Sequence, residues 1–161
     1  MGSLKFGSFP RSGSHFFTHL TGCEWLGHSI GALEKEQNVV VSIRNPLECV
    51  PSWITFIGDK RKTRAEKVLE WYCAYYEKVK ELDVVVFPFE QLTSSPLFCI
   101  NYAYTKYGLE PLKSLDYDLS TDFHFPTKDK SGYSEIVNEM KLAPSFDRAV
   151  SLFKELCIPV G

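Results

Sequence analysis

Asn38-Val39-Val40-Val41-Ser42-Ile43-Arg44-Asn45-Pro46-Leu47 is the stretch from which the fold class follows. Its first half is β-branched and almost continuously apolar, the pattern of a strand covered on both faces, as in parallel sheets flanked by helices. Pro46 suits the first turn of a helix, where the amide it lacks would have no partner. Leu47, Val50, Trp53, Ile54 and Ile57 then recur at helical spacing up to Gly58. A buried strand running straight into a helix is the building unit of an α/β protein.

The alternation extends in both directions. Upstream, an apolar run from Leu4 to Phe9 breaks at Pro10-Arg11-Ser12-Gly13-Ser14 and resumes as a helical segment, His15 to Leu20. A second short apolar stretch, Cys23 to Leu26, ends at Gly27-His28, and Ser29 is placed to cap a brief helix reaching Glu36. Downstream, Val68, Leu69, Tyr72, Tyr75, Tyr76, Val79 and Leu82 form one stripe of a helix spanning Arg64 to Leu82. Asp83 to Phe87 reads as a further buried strand, and Pro96 to Tyr107 as a helix stopped by Gly108. A long loop, Phe123 to Gly132, precedes two terminal helices near 133–141 and 145–156. The expectation is one α/β domain over residues 1–161, with a mainly parallel sheet of about four or five strands flanked by helices.

Composition narrows the function classes. At 161 residues, 44% apolar and 24% charged, the chain is neither disordered nor a disulfide scaffold. Its formal charge of −2 gives no global basic field for nucleic acid. Five cysteines at scattered positions offer no metal-ribbon spacing, and their odd number fits a reducing compartment. With no membrane-length apolar run and no signal-like start, a cytoplasmic protein is expected.

The break after the first strand carries the chemistry. A glycine-containing turn between a strand and a helix presents backbone N–H groups to an anion at the positive end of the helix dipole. Arg11 adds a permanent charge with a fork of donors, and Ser12 and Ser14 add hydroxyls. The nucleotide-hydrolase form GxxxxGK[ST] is absent, since Gly13 is followed by Ser14-His15.

Phe9-Pro10-Arg11-Ser12-Gly13-Ser14-His15-Phe16 resembles the 5′-phosphosulfate loop of the sulfotransferases that use 3′-phosphoadenosine 5′-phosphosulfate (PAPS), whose pattern is approximately xPKSGTTW or xPRSGTT. Val41 to Ser52 is similar to the family's 3′-phosphate motif, a strand ending in Arg-Asn-Pro with a serine eight residues after the arginine. A looser likeness is Phe89-Glu90-Gln91-Leu92 before Ser95-Pro96. The resemblance covers residues 4–96 and implies a P-loop-like fold and transfer of a sulfonate group from PAPS to a hydroxyl or amine, leaving adenosine 3′,5′-bisphosphate. No metal is implied.

The resemblance assigns donor binding to Pro10, Arg11, Ser12, Gly13, Ser14, His15 and Phe16 in the first loop, to Arg44 and Ser52 in the second motif, and to Lys128, Lys130 and Gly132 in the late loop. Phe16 would stack on adenine or belong to the core. Arg11 would stabilise the leaving phosphate, and the base is His28 or, as the rival, Glu24. His15 and His19 have the spacing of a zinc pair but lack a third ligand in the sequence. The basic run 59–64 reads as a solvated face or as an approach to phosphates. The acceptor, whether small molecule, carbohydrate or peptide, stays open. So do three other classes: a P-loop nucleotide kinase or hydrolase, a non-catalytic nucleotide binder, and an interaction module.

Overall fold

The computed structural model describes residues 3–13, 18, 23–58, 64–115 and 130–161. Four strands, β1 (Lys5–Ser8), β2 (Glu24–Trp25), β3 (Val39–Ile43) and β4 (Val85–Pro88), form one sheet in the order β2-β1-β3-β4. Every neighbouring pair is parallel. The described helices are α1 (Ile30–Lys35), α2 (Pro46–Ile57), α3 (Ala65–Glu81), α4 (Phe89–Ser94), α5 (Pro96–Lys106), α6 (Tyr133–Leu142) and α7 (Phe146–Leu156). The expected α/β architecture is therefore present, with four strands.

The central strand explains its own sequence. All five residues of β3 are buried. Val39, Val41 and Ile43 join a core with Cys49 and Val50 of α2 and Leu69, Tyr72 and Tyr76 of α3. Val40 joins the opposite core with Phe6, Val85, Phe87, Leu92 and Ile100. Burial of each such aliphatic side chain contributes about 1.5–3 kcal/mol, so a strand covered on both faces has no position to spare for a polar residue without a partner. Ser42 is the exception, and it has one.

Some boundaries differ from the sequence reading. The last strand runs Val85–Pro88, and Phe89–Ser94 forms a short helix that the sequence reading did not separate. Six residues are too few for a 3.6-residue period to declare itself. Ser29 occupies the N-cap of α1 but makes no side-chain capping bond. At α2 the cap is Asn45, whose side chain accepts from the Leu47 amide at 2.9 Å. Apart from Thr18, which is helical, the expected helix His15–Leu20 lies outside the described residues, as do residues 59–63 of the basic run and 123–129 of the late loop. Among the described residues, no helix is long and apolar enough to cross a membrane.

Strand order fixes where a ligand can sit. The strand after β1 lies to one side of it, and the strand after β3 lies on the far side of the sheet. The connections leaving neighbouring strands β1 and β3 therefore diverge, and a crevice opens at their carboxyl ends. Arg11 follows β1 and Arg44 follows β3, so topology alone brings both arginines to that crevice.

Candidate anion-binding site

The loop after β1 is held from below by β3. Arg44 Nη1 donates to the Arg11 carbonyl at 2.9 Å, and the Ser42 hydroxyl donates to the Ser12 carbonyl. Behind these, the Tyr76 hydroxyl donates to the Ser42 carbonyl at 2.9 Å and the Tyr72 hydroxyl to the Arg44 carbonyl at 2.9 Å. The loop itself has left-handed backbone at Arg11 (φ 62°) and at Gly13 (φ 96°). A glycine is required at the second position, since a Cβ there would also stand 3.1 Å from the Phe89 ring.

Two guanidinium groups serve this loop. Arg11 Nε donates to the Ser52 hydroxyl at 2.9 Å, and its guanidinium carbon lies 5.0 Å from the Phe56 ring centroid. Arg44 lies 4.4 Å from the Phe89 centroid, and its Nε is 3.5 Å from the half-exposed Glu48 carboxylate. Burial first, and the neighbouring Arg44 charge second, lower the Arg11 pKa, while the nearby Tyr133 hydroxyl acts in the opposite direction. Two cations held this close favour an anion between or beside them. Among the described residues, the Ser8 hydroxyl at the end of β1 is also buried without a hydrogen-bond partner. This hydroxyl, the two arginines and the glycine fit a polyanionic group such as a phosphosulfate.

A cleft of about 120 Å³ flanks Arg44 on the β4 side, lined by residues including Asn45, Glu48, Phe89 and Cys157.

The other half of the crevice is aromatic. His28 follows β2, and its Nδ1 lies 2.6 Å from the Ser8 carbonyl. A carbonyl only accepts, so Nδ1 carries the proton and Nε2 is the basic nitrogen of the neutral ring. The chain has three tryptophans, and all surround this imidazole. Trp25 lies at 5.1 Å, Trp71 at 6.2 Å and Trp53 at 6.3 Å between ring centroids, each edge-on. Trp53 stacks on Phe56 at 5.9 Å, which links the His28 cluster to the ring under Arg11. Trp25 and Phe56 are exposed and form the outer rim.

Several residues stand differently from their sequence assignments. Glu24 is not brought to the loop: parallel register sets it beside Lys5, 3.5 Å from Lys5 Nζ, at the amino end of β1. The Ser12 hydroxyl does not face a ligand; it is fully buried, donates to the Pro10 carbonyl at 3.5 Å and faces Cys49 and Tyr76, so only its amide can serve the site. Ser52, matched by motif with Arg44, is bonded to Arg11. Lys130 and Gly132 are exposed, with Gly132 as N-cap of α6 and Tyr133 beside Arg11. Ser14, His15, Phe16, His19 and Lys128 lie outside the described residues. Sequence reading missed Ser42, Tyr133, Phe89 and the tryptophan cluster. Only Ser42 carried a signal, as the single hydroxyl in an otherwise apolar strand. No family model, curated protein or solved structure matches the chain.

Proposed function

We propose that the protein is a PAPS-dependent sulfotransferase acting on a hydroxyl or amine acceptor. The observation that carries this reading is the meeting of Arg11, Ser52 and Arg44 at one loop in the crevice between β1 and β3, through bonds of 2.9 Å from Arg11 to Ser52 and from Arg44 to the loop. Such a site suits a donor with a negative group at each end of its nucleotide. When bound, PAPS supplies a sulfonate already activated by its anhydride link to phosphate.

The residues divide the remaining work. Arg11 and the Ser12 and Gly13 amides meet the charge that develops on the departing phosphate oxygen. Arginine retains its own proton there, which costs little because a phosphate is a weak base. His28 Nε2 takes the proton that the acceptor releases as its oxygen or nitrogen bonds to sulfur. The rim of Trp25 and Phe56 is the side from which an acceptor approaches His28.

Transfer of labelled sulfonate from PAPS into a mixed acceptor pool tests the reading. His28→Asn keeps a donor for the Ser8 carbonyl while removing the base, and it should lower the rate by about a hundredfold or more. Absence of transfer by the native protein, or an undiminished rate in the variant, contradicts the assignment. Preferential binding of magnesium ATP would favour the kinase class.

A further inference from the structure

The loop carbonyls show how its amides are aimed. In a trans peptide the C=O and the following N–H point in opposite directions. The Arg11 carbonyl is held by Arg44 Nη1, so the Ser12 N–H points away from Arg44. The Ser12 carbonyl is held by the Ser42 hydroxyl, so the Gly13 N–H points away from β3. Arg11 and Gly13 have positive φ with Ser12 between them at negative φ, the alternating backbone hand that makes consecutive amides converge into an anion-binding concavity.

We propose that Ser42 is a positioning residue: its hydroxyl, donated from the central strand to the Ser12 carbonyl, turns the loop amides outward and so makes the anion nest. Three observations carry this. Ser42 is completely buried in a strand whose other four residues are valines and isoleucine, and an unpaired hydroxyl there would be costly. Its backbone is fixed twice, by sheet pairing with Ser8 and Phe87 and by the Tyr76 hydroxyl. Its partner is the one carbonyl whose orientation sets the Gly13 amide. Ser42 touches no ligand and acts through the loop, which separates it from Arg11. The inference deepens the functional reading and rests on it only for the identity of the anion.

The test compares native protein, Ser42→Ala and Ser42→Thr by amide-resolved NMR titration with inorganic sulfate and with adenosine 3′,5′-bisphosphate, alongside thermal melting. In the native protein the Ser12 and Gly13 amide signals should move most on adding either anion. Ser42→Ala should bind about tenfold more weakly and lose that response while still melting cooperatively, and Ser42→Thr should restore it. Wild-type affinity in Ser42→Ala overturns the proposal. So does a native protein whose Ser12 and Gly13 signals stay still while others respond, a result that decides the matter even if Ser42→Ala does not fold. Response of those two amides to sulfate but not to the bisphosphate supports the role of Ser42 and removes the PAPS reading.

Discussion

Arg11 holds a backbone conformation that its own side chain disfavours. A non-glycine residue at φ 62° carries a cost on the order of 1–2 kcal/mol, here offset by the bond from Arg44 to its carbonyl and the bond from its Nε to Ser52. Glycine would be the stable choice at this position, so the presence of arginine points to the side chain's work. Arg11→Gly should therefore leave the melting temperature within a few degrees of native, relieved strain balancing the lost bond, while binding of adenosine 3′,5′-bisphosphate falls at least tenfold. A large loss of stability with retained binding would make Arg11 a structural residue. His28 poses the complementary case: its three indole neighbours resemble a packed core, and the Ser8 carbonyl bond fixes the tautomer that leaves Nε2 basic.

At the scale of elements, two helices close on one face of β1 at a residue with no side chain. A Cβ on Gly7 would stand 2.7 Å from Leu33 of α1 and 3.0 Å from the Tyr75 hydroxyl of α3. Gly7→Val should lower stability by about 1–3 kcal/mol, read as a drop in melting temperature, because both neighbours are buried and must shift to admit the side chain. An unchanged melting temperature would show that α1 does not pack as described. The pair β3–α2 was legible because one rule, continuous burial, governs every strand residue and another, Pro46 with apolar residues at helical spacing, governs the helix. The stripe of α3 was legible for the same reason, but the destinations of its hydroxyls were not: periodicity marks Tyr72 and Tyr76 as buried, and only the fold shows that they bond the Arg44 and Ser42 carbonyls. The two arginines of the site could be read from local motifs. The meeting of Arg11 with Ser52 could not, because it depends on how far the loop after β1 crosses the end of β3.

Across the whole molecule, acids with raised pKa lie in both cores, most of them in the one between the sheet and α3. Burial pushes the Cys49 thiol up to about 12 and those of Cys73 and Cys99 to about 11, from an ordinary 9.0, and it raises the Tyr72, Tyr75 and Tyr76 phenols as well. Each folded-state value lies above its unfolded counterpart. Stability is thus intact below pH 9 and declines as the pH rises from there toward the folded values, because the unfolded chain ionises first. Melting temperature should be flat between about pH 7 and 8 and fall progressively above pH 9; a flat profile through pH 11 would contradict the burial of these groups.

The proposed function requires Arg11 and Arg44 to hold a single doubly phosphorylated adenosine. Titration calorimetry with adenosine 3′,5′-bisphosphate on the native protein, Arg11→Gln, Arg44→Gln and the double variant tests it most directly. One site per chain is expected, with at least tenfold weaker binding in each single variant and a combined loss smaller than the sum, as for groups gripping one molecule. Native affinity in either single variant, or no binding by the native protein, would contradict it.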